Sequence, residues 1–171
     1  MDKQQKLKIN SKATVYVDYA NVYGWRHHLS KPLKIIKLLK YLKTYNQIKS
    51  INFYYGSDNN SKSKNFIKFV SKIGYNLTTK PVKHIFINKD TKIRKCDFDI
   101  EICMSVYSHL DKSFDSYIFF SGDGDFAPLY QYLISKHKQA IVIYTQGHLG
   151  KEIWEIKKGL FKTELKNLPV F

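Results

Sequence analysis

Short apolar runs that stop at polar turns recur along this chain, and most are followed by apolar positions at helical spacing. Ala13-Thr14-Val15-Tyr16-Val17 ends at Asp18-Tyr19-Ala20-Asn21, and Ile51–Tyr55 ends at Gly56-Ser57-Asp58. Tyr75–Thr79, Asp115–Phe120 and Gln139–Tyr144 are further runs of strand length. Between them, Leu33, Ile36, Leu39 and Leu42 share one helical face. So do Phe66, Phe69, Val70 and Ile73, with Ser61 or Ser63 as the cap and Gly74 closing the helix. Ile100, Cys103, Met104 and Tyr107 form a third stripe, and Phe126, Leu129, Tyr130, Leu133 and Ile134 a fourth, running to about His137. Pro128 falls in the first turn of that helix, where its missing N–H costs little. Gly147 to Lys158 predicts a last helix. The alternation predicts an α/β fold: a parallel sheet of about five strands, right-handed crossovers and helices on both faces.

Three stretches fall outside the rhythm. Residues 1–12 are polar and Lys-rich, and are expected to form a flexible basic arm before a single domain spanning 13–171. Residues 80–95 suggest a loose hairpin-like excursion whose charges are mostly positive, Lys80, Lys83, Lys89, Lys92, Arg94 and Lys95 among them. Residues 159–171 are apolar enough to dock on the domain but carry no clear periodicity.

Charge adds a partner. The 171-residue chain has a formal net charge of +15 and a pI of about 9.7, which favours a polyanion, most simply nucleic acid. Only Arg26 and Arg94 are arginine; the lysine excess, beside abundant Ile, Asn, Tyr and Phe, also fits AT-rich codon usage. Cys96 and Cys103 lie seven apart on an expected helix and read as reduced thiols, with no zinc spacing. The first residues contain no apolar signal region, and no apolar run approaches membrane-spanning length. A cytoplasmic protein is expected. Tyr23, Trp25, His27 and His28, in the segment 22–32, either pack against the domain or stack on bases; the histidines have no ligand spacing.

Acid placement is the informative feature. Of 14 acidic residues, Asp18, Asp97, Asp99, Asp123 and Asp125 occupy strand ends or a helix start. Glycines flank Asp123, lowering the steric wall around a turn where open α/β sheets bind ligands. Gathered carboxylates repel unless a cation neutralises them, and oxygen donors without Cys or His suit Mg²⁺ or Mn²⁺. Each acid also has a plain structural reading: Asp18 as a turn or cap, Asp125 as a helix cap, Asp97 as the N-cap of the third helix. Asp97 and Glu101 share a face, whereas Asp99 is turned away by about 100° per residue. Asp99 is therefore the better site candidate, and Glu101 a supporting group or a partner for a lysine.

Three motifs resemble a known family. Val15-Tyr16-Val17-Asp18-Tyr19-Ala20-Asn21 looks like its opening strand, and Lys95-Cys96-Asp97-Phe98-Asp99-Ile100-Glu101-Ile102 resembles its Lys-Gly-x-Val-Asp-x-Glu-Leu segment. Ser121-Gly122-Asp123-Gly124-Asp125-Phe126, followed by Leu129 and Leu133, is similar to its most diagnostic motif. The resemblance, over about residues 13–145, is to the NYN domain family, close to its LabA-like branch and related to PIN and FLAP nuclease domains. It implies a PIN-like, Rossmann-like parallel sheet, a divalent metal and ribonuclease chemistry on RNA. Carried over by position, Asp18, Asp99, Asp123 and Asp125 would hold metal at one edge of the sheet, and Asn21 would orient Asp18 or a phosphate. Lys80, Lys89, Lys92, Arg94 and Lys95 would contact flanking phosphates. Cys96 stands where the family commonly has Gly, and Ser105 where many members have a further Asp. Some LabA-like members act in regulation, so an RNA-binding protein that keeps the fold without turnover is the alternative. Neither GxGxxG nor GxxxxGK[ST] occurs, which argues against a nucleotide-binding domain.

Overall fold

The computed structural model describes residues 6–86 and 92–171, apart from the side chain of Lys92. Six strands form one sheet: β1 (Ala13–Asp18), β2 (Ile48–Ser57), β3 (Asn76–Pro81), β6 (Ser116–Phe120), β7 (Gln139–Tyr144) and β8 (Leu160–Glu164). Their order is β3-β2-β1-β6-β7-β8, and every pairing is parallel. Five are the expected strands. The sixth, β8, comes from the terminal segment that periodicity left unassigned, and it pairs along β7 as an edge strand. Between β3 and the helix that begins at Asp99, β4 (Lys83–Phe86) and β5 (Lys92–Lys95) form a separate antiparallel ribbon, the expected excursion.

Alternation along the strands sorts side chains onto two faces. Val15 and Val17 join Phe53, Ile118, Phe120, Ile141 and Ile143 in one core, covered by α1 (Tyr19–Gly24), α2 (Ile35–Leu42) and α3 (Ser61–Ile73). Tyr16, Tyr54, Tyr117, Phe119 and Val142 point the other way. They pack under α4 (Asp99–Leu110), α5 (Ala127–Ser135) and α6 (Lys151–Glu155). The chain winds outward from β1 to β3, returns beside β1 as β6, and winds outward again. The reversal places a topological switch point between the carboxyl ends of β1 and β6, where this class of sheet opens its ligand crevice.

Several local expectations are corrected. Residues 7–12 are docked: Leu7 is buried and donates its N–H to Tyr45 Oη at 2.9 Å, and Gln139 bonds the backbone of both Lys8 and Asn10. Asn60, not Ser61 or Ser63, caps α3, accepting from Ser63 N at 2.8 Å, and Gly74 closes the helix in the left-handed conformation as expected. Phe98, not Asp97, occupies the N-cap position of α4, with no side-chain cap. The helix expected over 147–158 shrinks to α6, because Gly150 before it and Ile156 after it are extended. Trp25 is fully buried, whereas Tyr23 stays exposed. No helix among the described residues is long and apolar enough to cross a membrane.

Candidate functional site

Two turns meet at the switch point. Asp18 is both the last residue of β1 and the N-cap of α1, so one carboxylate oxygen, Oδ1, accepts from Asn21 N at 3.3 Å. Ser121, just past β6, donates its hydroxyl to the other oxygen, Oδ2, at 3.4 Å. Asn21 reaches across the crevice, its Oδ1 accepting from Gly122 N at 3.1 Å. Asp123 caps the short 3-10 turn Gly124–Phe126, accepting from Asp125 N at 3.1 Å, and its own N–H bonds Ser121 Oγ at 3.3 Å. The capping expected of Asp125 thus belongs to Asp123, and Asp125 itself points to solvent.

The glycines serve close approach. Gly150 N donates to Gly122 O at 2.7 Å, and a Cβ on Gly122 would overlap the carbonyl oxygen of His148. A Cβ on Gly124 would overlap Glu152 Oε2. The loop after β7 is thereby clamped onto the Ser121–Asp125 turn. His148 also meets His28 edge to face at 4.3 Å between ring centroids, joining this loop to the segment after α1. Burial and the neighbouring His28 push the His148 imidazole pKa below its usual value. That pairing escaped sequence reading because its residues lie 120 positions apart.

Electrostatics tie the acids into one group. Asp18 is only 8% exposed; burial, then repulsion from Asp123 and Asp99, outweighs its hydrogen bonds and pushes its pKa up to about 6. Asp99, in the first turn of α4, is pushed upward by burial and by Asp123, Asp97 and Asp125, with Lys80 opposing. Tyr130 Oη is buried without a hydrogen-bond partner among the described residues, and the charges of Asp18 and Asp123 add to burial in disfavouring its ionisation. None of Asp18, Asp99, Asp123 and Asp125 is in an ion pair among the described residues.

The candidate basic residues behave differently. Lys80 Nζ lies 2.6 Å from Glu101 Oε1 and 4.8 Å from the centre of the Phe98 ring. Lys95 lies 3.7 Å from Asp97, and Arg94 pairs with Asp58, which also lies 3.3 Å from His84 Nε2. Lys89 and the side chain of Lys92 lie outside the described residues. Asp58, unremarked in the sequence, anchors the β4–β5 ribbon to the end of β2.

The donor chemistry fits a hard divalent cation: carboxylate oxygens, one of them buried, with no ion-pair partner among the described residues. Among the described residues, however, no three His, Cys, Asp or Glu side chains are gathered closely enough to hold one ion in this conformation. The four aspartates share an edge of the sheet and each other's field rather than a common point.

Residues 12–158 match the model of the NYN domain. The chain belongs to the NYN domain family. All three motifs lie within the matched NYN region. Over 147 residues the chain is 24% identical to the low amplitude and bright protein LabA of Synechococcus elongatus, covering 84% of this chain and 78% of LabA. The fold is also that of a Vibrio parahaemolyticus protein of unknown function, with a TM-score of 0.69 at 20% identity over 92% of this chain and 96% of that one.

Proposed function

We propose that this NYN domain is a divalent-metal-dependent ribonuclease. One observation carries the reading. In a chain of net charge +15, four aspartates at the switch point have no ion-pair partner among the described residues, while Asp58, Asp97, Asp115 and Glu101 have found cations. Asp18, Asp99, Asp123 and Asp125 are the residues that would hold Mg²⁺ or Mn²⁺, and side-chain movement would have to bring them together. Such an ion would supply Lewis acidity toward a phosphate and lower the pKa of an attacking water.

The chain's own groups do the rest. Asn21, fixed to Gly122 through its carbonyl oxygen, keeps its amide N–H₂ available for a phosphate oxygen. The β4–β5 ribbon adds positive charge at the same edge, which favours flanking phosphates without choosing sequence. Lys95 and Arg94 would reach RNA by exchanging Asp97 and Asp58 for phosphates, whereas the exposed Lys83 has no ion-pair partner among the described residues.

Catalytically silent RNA binding is the second reading. It is favoured by Ser105, which lies against the hydroxyls of Tyr16 and Tyr54 at a position where many NYN members have Asp, and by the lack of a gathered ligand group among the described residues. Incubation of the purified chain with single-stranded RNA in Mn²⁺ or EDTA separates the two. A nuclease cuts in Mn²⁺ alone; a silent binder retains RNA in both and cuts in neither.

A further inference from the structure

The segment after Asp18 presents an unusual outer surface. Val22 and Trp25, three apart, are buried and root α1 and the following 3-10 turn Trp25–His27 in the core. Tyr23 and Arg26, also three apart, consequently project outward. Tyr23 is 53% exposed. The Arg26 guanidinium lies 4.0 Å above the centre of that ring, and Nη1 donates to the Tyr23 carbonyl at 2.9 Å. Arg26 has no carboxylate partner among the described residues. The guanidinium is thus held over its neighbour's ring and against its backbone.

Behind Tyr23 the ladder continues inward. Tyr19 lies 5.9 Å away and stacks on Phe66 at 5.0 Å, with Phe53 and Tyr55 beside it. The outer rungs are therefore backed by packed core. Asn21, two residues before Tyr23, is tied to the Ser121–Asp125 turn, so the platform and the acidic crevice ride on one short, anchored turn of chain.

We infer that Tyr23 and Arg26 form a base-stacking subsite on the anchored turn that follows Asp18, and that the RNA taken there is single-stranded. This rests on the ribonuclease or RNA-binding reading of the crevice and specifies its substrate class. Planar aromatic and guanidinium groups bind nucleobases by their π faces, whatever the base. Those faces are covered inside a duplex and open in loops, ends and unpaired strands. An exposed cation–π pair adds little to folding, so either partner can be replaced with the fold intact.

The test measures affinity of the full chain in EDTA for an unstructured single-stranded RNA and for a duplex of equal length, across a salt series. Tyr23→Leu keeps apolar bulk but removes the ring, and Arg26→Lys keeps charge but removes the plane. Both positions are exposed, and melting curves establish that each variant is folded. Tyr23→Leu should bind the single strand about tenfold more weakly, with duplex affinity and salt slope unchanged because no charge is lost. Arg26→Lys should weaken the single strand in the same selective way. Wild-type affinity of both variants for the single strand, or equal losses for single strand and duplex, overturns the subsite and leaves the RNA reading standing. A wild-type chain that binds neither RNA overturns that reading, and the subsite with it.

Discussion

Asp18→Asn should make the metal-free protein more stable at neutral pH. The carboxylate is buried, repelled by Asp123 and Asp99, and titrates at about 6 rather than its ordinary 3.8. A folded-state pKa above the unfolded one means a contribution that is fully present below pH 3.8 and is lost as pH rises through about 6. Above that, the folded protein carries an ionised group it disfavours, and a two-unit shift corresponds to about 3 kcal/mol. Asparagine keeps the shape, accepts from Asn21 N through its carbonyl oxygen, and donates to Ser121 Oγ where the carboxylate accepted. In EDTA at about pH 7.5, Asp18→Asn should therefore melt roughly 5–10 °C above wild type, given about 2–4 °C per kcal/mol for a chain of this size. The gap should shrink to about half near pH 5. In Mn²⁺ the order should reverse, because ligand binding stabilises only the chain that retains the site. Melting curves over pH, with EDTA or Mn²⁺, measure all of this. Equal or lower stability of Asp18→Asn in EDTA at neutral pH would refute the idea that these acids are held in mutual repulsion.

Three further outcomes follow from the geometry. Gly122→Ala should cost about 2–3 kcal/mol, since the new methyl must displace the backbone at His148; unchanged denaturant unfolding would show that the loop yields freely. Asp58→Asn should leave global stability within about 1 kcal/mol while speeding amide exchange in 83–86 and 93–95, because it loosens the hold on Arg94 and His84; unchanged exchange would mean the ribbon is held by something else. His148, with its pKa lowered, favours folding above its unfolded value of about 6.5 and loses that contribution as pH falls. His148→Gln should flatten part of the melting-temperature loss between about pH 7 and about pH 5, and a slope like that of wild type would exclude the histidine pair as its source.

Much of this architecture is written in local patterns. Val15–Val17 and Tyr117–Phe120 are apolar on both faces, the mark of strands buried between helix layers, and both are completely buried. Asp18 closes β1 and Asp123 follows β6 by three residues, so two parallel neighbours carry both to one edge of the sheet. What stayed hidden depends on contacts distant in sequence. β8 exposes Phe161 and half-buries Lys162 and Thr163, so it has no strand-like alternation, and only the free edge of β7 recruits it. The helix over 147–158 was overdrawn because the clamp between Gly150 and Gly122 pulls the chain straight just before α6. Asp97 resembles a cap, yet it lies beside Lys95 while the helix starts at Asp99. The basic character of 80–95 was plain, but the pairing of Lys80, Arg94 and Lys95 with Glu101, Asp58 and Asp97 belongs to the folded state alone.

The most direct test compares wild type and Asp123→Asn for cleavage of one single-stranded RNA in Mn²⁺, with binding measured on the same preparations in EDTA. Asparagine preserves the size and still offers an oxygen to Asp125 N, so the turn should fold. A metal-dependent nuclease gives cleavage by wild type and none by the variant, with RNA affinity in EDTA equal or tighter because one negative charge has gone. Undiminished cleavage by Asp123→Asn, or a folded wild type that binds this RNA and leaves it intact in Mn²⁺, would contradict catalysis at the four aspartates.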